Sequence, residues 1–250
     1  MNYILYECSD STSGKNTSLT DFIRVAKGDI ISFAGAGGKT TTIMALAQEQ
    51  ADSGLNTLVT TTTKMYWEDN AVESGDWDGL LRSLDKYRLA VFGTKVGTKM
   101  QPADEDFFRK ASALADVMLI EADGARRLPF KMPRKNEPVY LNHSNKIVYL
   151  AGMSALNQPL KELFCPELLT DFLGKKNDDK LTADDIINVL QSYKGALKGA
   201  AHRDLYIILN QTDDVYAAEQ AQFIAKHLTA AHPTIKTAYS CHYQSIINRK

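Results

Sequence analysis

Short apolar runs alternate with longer segments of mixed polarity along this chain. Runs rich in apolar and β-branched residues predict strands, at residues 30–33, 57–63, 88–92, 116–121, 146–151, 204–209 and 235–239. Helical spacing of apolar positions and capping residues predict helices, at residues 39–53, 80–84, 102–115, 183–190 and 215–228. Because strands alternate with helices, the pattern predicts an α/β fold of βαβ units, with a mostly parallel sheet flanked by helices.

The segments between these elements predict loops and one larger insertion. Residues 68–78 are polar and acidic, which favours an exposed loop, and residues 93–99 favour a hairpin or turn. Residues 128–138 form a loop that contains three prolines. Since the chain shows no internal repeat, one domain over residues 1–250 is the simplest organisation, with a helical insertion at about residues 154–200.

Composition and charge narrow the class of protein. Hydrophobic residues make up 44% of the chain and charged residues 24%, as in an ordinary globular protein. The 29 basic and 30 acidic residues give a formal net charge of −1, so we expect no nucleic-acid partner and no membrane surface. No apolar run approaches the ~20 residues of a membrane span, and the N-terminus lacks signal-peptide features, so we expect a cytoplasmic protein. The cysteines lie far apart without CxxC spacing, which argues against a zinc site or a disulfide framework.

A glycine-rich loop between the first predicted strand and helix is the most informative stretch. Its residues are Gly35, Ala36, Gly37, Gly38, Lys39, Thr40 and Thr41. In a strand–loop–helix arrangement, backbone N–H groups and the helix N-terminus bind phosphate. We therefore predict that the loop binds ATP or GTP, that Lys39 reaches the terminal phosphates and that the hydroxyl of Thr40 holds Mg²⁺.

The loop departs from the strict G-x-x-x-x-G-K-[ST] motif, because Phe33 occupies its first glycine position. Such deviant loops are similar to those of signal-recognition and ParA-like GTPases and ATPases, and to those of Mur-type ATP-dependent ligases. Ala34 stands where the ParA-like proteins carry their signature lysine, so that trans-acting group is absent.

Two carboxylates follow the strand predicted at 116–121. Glu121 and Asp123 come at its carboxyl end, where an open parallel sheet binds its ligand. Alternation along an extended chain places both on the same side. Either carboxylate is a candidate ligand of Mg²⁺, with the other orienting a water molecule, and both are candidate catalytic residues together with Lys39.

Threonines close the strand predicted at 57–63. For Thr60 and Thr61, contact with phosphate or metal and simple strand propensity are equally good interpretations. For Thr63 and Lys64, which end this run beside the glycine loop, we predict contact on the γ-phosphate side and include Lys64 among the catalytic candidates.

A polar segment ends the strand predicted at 204–209. Asn210, Gln211, Thr212 and Asp213 are similar to the N-K-x-D base-recognition motif of GTPases, with Gln211 in place of the lysine. We predict that Asn210 and Asp213 bind the nucleotide base. A capped turn is an equally good interpretation, and the choice between guanine and adenine stays open.

Basic residues crowd the loop that follows Glu121 and Asp123. They are Arg126, Arg127, Lys131, Arg134 and Lys135. A solvated loop is one interpretation. The other is that Arg126, Arg127 and Lys131 bind an anionic second substrate or stabilise charge during phosphoryl transfer.

Together these segments resemble the YqeC family of selenium-dependent hydroxylase accessory proteins, over roughly residues 20–240. The specific parts are the threonine run with Lys64 and the segment from Glu121 through Leu128-Pro129-Phe130-Lys131. The resemblance implies a P-loop NTPase-like fold and a protein that acts with the machinery that matures selenium-containing molybdenum hydroxylases. Its expected partners are a nucleotide and a molybdenum hydroxylase or its cofactor-maturation proteins.

The sequence thus leads to three functional hypotheses. The first is a Mg²⁺-dependent nucleoside triphosphatase that serves hydroxylase or cofactor maturation. The second is a nucleotide-gated binding module or chaperone with little turnover. The third is an ATP-dependent kinase or ligase that acts on an anionic small molecule held by the basic loop.

Overall fold

The computed structural model of the protein describes residues 3–8 and 15–242. Within these residues the strands are β1 (Tyr3–Glu7), β2 (Lys15–Thr17), β3 (Ile30–Gly35), β4 (Thr57–Thr61), β5 (Met65–Tyr66), β6 (Val72–Glu73), β7 (Leu89–Val96), β8 (Lys99–Gln101), β9 (Val117–Glu121), β10 (Lys146–Gly152), β11 (Asp204–Asn210) and β12 (Lys236–His242). The α-helices are α1 (Leu19–Ile23), α2 (Lys39–Asp52), α3 (Trp77–Tyr87), α4 (Glu105–Ser112), α5 (Pro166–Leu173), α6 (Ala183–Leu190) and α7 (Val215–Ala231). None of the helices in this part of the chain is long and apolar enough to cross a membrane.

Most strands of the sheet are parallel. Its order is β2-β1-β12-β11-β10-β3-β9-β4-β7-β8-β5, and the strands from β12 to β7 all run in the same direction. Antiparallel pairs occur only towards the two edges of the described sheet, where β1 joins β12 and β8 joins β7. The carboxyl ends of β3, β9, β4 and β11 therefore lie at one edge of the sheet, which is where an open α/β sheet binds ligands.

Helices cover both faces of this sheet. On one face, α1 and α2 pack on β3 and its neighbours through residues such as Phe22, Ile43 and Phe33. On the other face, α6 and α7 cover β10 and β11, while α3 and α4 cover β4 and β7. This arrangement confirms the predicted α/β fold, in which a mostly parallel sheet is flanked by helices.

The segment between β10 and β11 contains α5 and α6, where the sequence predicts a helical insertion. Leu169 of α5 and Ile186 of α6 belong to the same apolar cluster as Ile207 of β11 and Ile224 of α7. The segment therefore shares the core of the sheet. Helix α6 spans the predicted residues, and Thr182 caps it with a reciprocal contact to Asp185.

Two predicted boundaries are wrong for local reasons. The loop predicted at 68–78 contains β6, and α3 begins at Trp77 because the Asp76 side chain accepts a hydrogen bond from Gly79 N at 2.8 Å. Strand β4 ends at Thr61 rather than at residue 63, because Thr62 turns to donate a hydrogen bond from Oγ1 to Val139 O at 2.7 Å. This turn directs Thr63 and Lys64 away from the sheet and towards the edge where the glycine loop lies.

A buried ion pair joins the start of β3 to β10. The Lys146 ammonium donates to Asp29 Oδ2 and to Arg24 O, and Asn145 Nδ2 donates to Asp29 Oδ1 at 2.6 Å. Burial raises the pKa of Asp29, but the hydrogen bonds from Lys146, Ala26 N and Asn145 outweigh it, so the net pKa is lowered.

We expect Asp29→Asn to lower the free energy of unfolding at neutral pH by an amount that shrinks in acid. A carboxylate with a lowered folded-state pKa stabilises the fold above its unfolded pKa of ~3.9, and this stabilisation is lost as the pH falls through the lowered value. Urea denaturation of both proteins between neutral and acidic pH measures the difference. A difference that stays constant down to strongly acidic pH contradicts the expectation.

Candidate nucleotide-binding site

The loop between β3 and α2 presses closely against β10. Gly35 and Gly37 have φ values of +88° and +87°, in the left-handed region that favours glycine. A Cβ atom on Gly35 would lie 2.1 Å from Leu150 O, and one on Gly37 would lie 2.4 Å from Gly152 Cα. Ala36 N donates to Leu150 O at 2.9 Å, which fixes the loop in this position. The loop therefore has the compact glycine cradle that brings backbone close to phosphate.

Lys39 begins α2 and is held inside the loop. Its side chain is 5% exposed, and Nζ donates to Gly35 O at 2.7 Å and lies 3.1 Å from Asp123 Oδ1. Burial lowers the pKa of the Lys39 ammonium, but the charges of Asp123 and Glu121 outweigh burial and the net pKa is raised. Lys39 is therefore a fixed positive charge at the head of the helix.

Asp123 lies at the centre of a buried chain of alternating charges. It is fully buried, and Oδ2 accepts from Gly35 N at 3.0 Å and lies 3.1 Å from Lys131 Nζ. Lys131 Nζ also contacts Glu137 Oε2 at 2.9 Å and donates to Gly124 O at 2.7 Å. Asp123 thus positions Lys39 and the first glycine of the loop.

This chain of charges places Lys131 differently from the prediction for it. The Lys131 side chain has no exposed surface, and it is not among the residues that line the neighbouring cavity. Lys131 is buried because Asp123 and Glu137 compensate its charge, as a lysine in a protein interior requires. The Lys131 ammonium is therefore already paired with Asp123 and Glu137, and its role in binding an anionic substrate stays a prediction.

Glu121 ends β9 beside the loop. Its carboxylate Oε2 accepts a hydrogen bond from Thr40 Oγ1 at 2.9 Å, and the residue is 6% exposed. Burial raises the pKa of Glu121, against the opposing effects of the Lys39 charge and the Thr40 hydrogen bond. A hydroxyl and a carboxylate oxygen side by side are hard oxygen donors of the kind that Mg²⁺ binds. These two residues therefore fit a magnesium ion.

A cavity of about 800 Å³ opens over the loop. Among the predicted residues, those that line it are Gly37, Gly38, Lys39, Thr40, Thr41, Thr63, Lys64, Glu121, Arg126 and Arg127. The volume lies in the range of small-molecule and cofactor sites. Gly35, Ala36 and Asp123 lie outside this lining, as does Lys131.

The threonines of β4 divide into structural and cavity-lining residues. Thr60 Oγ1 donates to Phe92 O at 2.8 Å and Thr61 Oγ1 donates to Glu121 O at 2.9 Å, so both hydroxyls hold neighbouring strands. Thr63 and Lys64 line the cavity, and Lys64 is exposed. The structural interpretation therefore describes Thr60 and Thr61, and the position predicted for Thr63 and Lys64 beside the glycine loop agrees with the structure.

Asn210 and Asp213 are placed differently from a simple base-binding pair. Asn210 Nδ2 donates to Gly37 O at 2.7 Å and its Oδ1 accepts from the Ser240 hydroxyl, so the side chain joins β11 to the glycine loop and to β12. Asp213 is exposed and lies outside the cavity lining. Gln211 lines the cavity instead, and its Oε1 accepts from Ser154 Oγ at 2.6 Å.

Several residues that line the cavity are absent from the predicted site, among them Tyr66 of β5, Lys99 of β8, Arg134 and Phe164. Lys99 Nζ lies 3.0 Å from the centroid of the Tyr66 ring, and the Arg134 guanidinium carbon lies 4.7 Å from that of Phe164. Arg134 belongs to the basic loop noted in the sequence, whereas no local signal identifies the other three residues.

Comparison with known proteins identifies similar sequences and structures. The family model described as YqeC protein matches residues 31–168, which is more than half of the chain. The protein YqeC of Escherichia coli (strain K12) is 28% identical over 184 residues, which cover 68% of this chain and 70% of that protein. Among solved structures, the MinC:MinD cell division protein complex of Aquifex aeolicus has 14% identity and a TM-score of 0.37, over 73% of this chain and 69% of its own. FtsY from Mycoplasma mycoides has 16% identity and a TM-score of 0.38, over 83% of this chain and 60% of its own.

Proposed function

Because the chain belongs to the YqeC family, we propose that it is a Mg²⁺-dependent nucleoside triphosphatase that acts as an accessory factor in the maturation of selenium-dependent molybdenum hydroxylases or their cofactor. The family and the P-loop fold make the chain a nucleotide-binding, NTPase-like protein. The hydrolytic reaction, the base of the nucleotide and the hydroxylase partner belong to the proposal.

The glycine loop supplies the binding of the triphosphate. The N–H groups from Gly37 to Thr41 and the N-terminus of α2 surround the phosphates, and Lys39 neutralises the charge of the terminal phosphate. The ion pair with Asp123 holds the Lys39 ammonium in position. Thr63 and Lys64 follow β4 and line the same cavity, where they would contact the γ-phosphate.

Thr40 and Glu121 would hold the magnesium ion. A magnesium ion held there would supply positive charge to neutralise the negative charge that develops during phosphoryl transfer. We assign the metal to Glu121 rather than to Asp123, because Glu121 contacts Thr40 and lines the cavity, whereas both oxygens of Asp123 face lysine ammonium groups. The 2.9 Å contact between Thr40 Oγ1 and Glu121 Oε2 is the observation that carries the proposal.

We expect Glu121→Gln to reduce Mg²⁺-dependent hydrolysis of ATP or GTP by about 100-fold, the scale on which loss of one charged transition-state contact acts. Binding of the nucleotide without Mg²⁺ should change little, because the loop amides and Lys39 remain. Release of inorganic phosphate, measured over a range of Mg²⁺ concentrations, tests the expectation. Glu68→Gln is the matched control, since Glu68 is another carboxylate of the cavity wall.

The assignment fails if Glu121→Gln and wild type need the same Mg²⁺ concentration and turn over at the same rate. It also fails if wild type hydrolyses the nucleotide equally well in the presence of a chelator. A loss of activity in Glu68→Gln as large as that in Glu121→Gln contradicts the specific role of the Thr40–Glu121 pair.

One observation favours a second candidate function, an NTP-dependent transferase that acts on an anionic small molecule. The same cavity carries Arg126 and Arg127 at the side of the glycine loop. Hydrolysis alone does not need a basic wall of this extent. Turnover measured with nucleotide alone, and again with small anionic acceptors, separates the two functions.

A further inference from the structure

We propose that an anionic second substrate binds beside the nucleotide phosphates, in a subsite formed by Tyr66, Lys99 and Arg127 that we call the tyrosine subsite. This inference rests on the proposed binding of nucleotide at the glycine loop. It assigns the substrate class to dianionic small molecules with phosphate or carboxylate groups.

The tyrosine subsite is built from three parts of the chain, namely β5, the β7–β8 hairpin and the basic loop. Tyr66 of β5 and Lys99 of β8 are directly opposite each other in an antiparallel pair. Lys99 Nζ lies 3.0 Å from the centroid of the Tyr66 ring, and the Arg127 guanidinium carbon lies 4.1 Å from it. The Tyr66 ring thus holds two cations close to the cavity through cation–π contacts. The tyrosine itself is 40% exposed, so a ligand in the cavity can reach it.

The electrostatic surroundings of Tyr66 agree with this geometry. A hydrogen bond from Lys99, the charge of Lys99 and the charge of Arg127 lower the pKa of the phenol, in that order of effect. The positive potential that favours a phenolate also favours any other anion at this position.

The cavity carries more positive charge than its own carboxylates compensate. Within the described residues, no carboxylate lies within 4.0 Å of the charged groups of five cations of the cavity lining, which are Lys64, Lys99, Arg126, Arg127 and Arg134. Two acidic residues of the lining contact other groups than these five cations. Glu137 pairs with Lys131, and Glu121 accepts a hydrogen bond from Thr40. Lys39, by contrast, is already paired with Asp123. The surplus of unpaired cations predicts an anionic ligand in addition to the triphosphate.

The backbone of the basic loop directs two adjacent arginines to different aromatic rings of the cavity lining. Arg126 and Arg127 have φ values of +50° and +64°, which are unfavourable for residues with a Cβ atom. Arg126 lies 5.9 Å from the centroid of Phe164, and Arg127 turns to Tyr66. Such left-handed residues concentrate at ligand sites, where the surrounding structure holds them.

The order of the strands separates the tyrosine subsite from the base of the nucleotide. Gln211 follows β11, on one side of β3 in the sheet, whereas β5 and β8 lie on the other side, beyond β9, β4 and β7. A nucleotide with its phosphates on the loop and its base towards Gln211 leaves the hairpin side of the cavity vacant. The glycine loop, Thr63, Lys64 and the tyrosine subsite line one cavity, so a second substrate in the subsite would share this cavity with the terminal phosphate.

Calorimetry with defined dianions tests the subsite. The glycine loop is first saturated with a non-hydrolysable Mg²⁺–nucleotide analogue, and the loaded protein is then titrated with inorganic phosphate and with succinate. We expect the double variant Lys99→Gln/Arg127→Gln to bind these dianions at least about tenfold more weakly than wild type, and the nucleotide analogue within about twofold of wild type. The charge-matched control is Lys95→Gln/Arg82→Gln, because both residues are outside the cavity and Lys95 lies on the same hairpin.

Each other outcome contradicts a different statement. Equal binding of both dianions by wild type and the double variant, or no binding by loaded wild type, overturns the subsite while nucleotide binding stands. Parallel weakening of the analogue and the dianions assigns Lys99 and Arg127 to the triphosphate and also overturns the subsite. A wild-type protein that fails to bind the analogue in the first titration contradicts the proposed function, and the inference with it.

Discussion

Replacement of Lys39 by alanine is expected to abolish measurable nucleotide binding, with a loss of affinity of about 100-fold or more. The mutation removes the charge that meets the terminal phosphate. It also leaves Asp123, which is fully buried, paired only with Lys131. An undercompensated carboxylate beneath the glycine loop repels phosphate, so the two effects act in the same direction. Calorimetric titrations with ATP and with GTP measure the loss and the base preference of wild type together.

The double variant Lys39→Ala/Asp123→Asn separates the two effects. Removing the carboxylate charge should restore part of the affinity without restoring the lysine contact. Thermal unfolding without nucleotide serves as the control for folding, and bound nucleotide should raise the unfolding temperature of wild type by mass action. Unchanged nucleotide affinity in Lys39→Ala overturns the assignment of the loop.

The glycine loop and Glu121 are predictable from sequence because their signals are local. Strand, glycines, lysine and threonine follow one another within a single stretch, and the φ values of Gly35 and Gly37 explain why glycine stands there. Glu121 is recognisable as one of two candidates with Asp123, because a buried apolar strand ends in carboxylates; the choice between the two needs their contacts in the structure. These features can be predicted without knowing which strands are neighbours in the sheet. The one general rule required is that a parallel sheet binds its ligands at the carboxyl ends of its strands.

The tyrosine subsite is not predictable in the same way. Tyr66 and Lys99 are brought together by the antiparallel pairing of β5 with β8, and sequence alone predicts only a hairpin or turn at residues 93–99. The contact of Asn210 with the glycine loop is equally hard to predict, because it joins residues that are 173 positions apart in the sequence. The contact with Gly37 O exists because β11 is next to β10, which is next to β3, and sequence alone does not show that this side chain also supports the glycine loop.

Lys131 shows why charge in a loop is a weak guide to exposure. Its neighbours in sequence are basic and proline-rich, which is typical of a solvated or substrate-binding loop. Its burial depends on the directions in which Asp123 and Glu137 point, and those directions follow from the fold of the whole segment. The two interpretations of Lys131 predict different measurements.

Lys131→Met is therefore expected to destabilise the protein by about 3–5 kcal/mol, the cost of removing one partner from a buried ion pair. Glu137 and Asp123 would lose a shared cation, and Gly124 O would lose a hydrogen bond of 2.7 Å. Urea denaturation gives the free energy of unfolding. Lys135→Met, at an exposed position of the same loop, is the matched control and should change stability by less than about 0.5 kcal/mol.

Neutralising one acidic partner should compensate part of this loss. In Lys131→Met/Glu137→Gln, Asp123 is the one former partner of Lys131 that still carries a negative charge. The double variant should therefore be more stable than Lys131→Met alone. A direct role in substrate binding makes the opposite prediction, namely wild-type stability with weaker binding of anions in the cavity. An unfolding free energy of Lys131→Met equal to that of Lys135→Met would show that the buried charge chain does not stabilise the loop, and would return Lys131 to the substrate site.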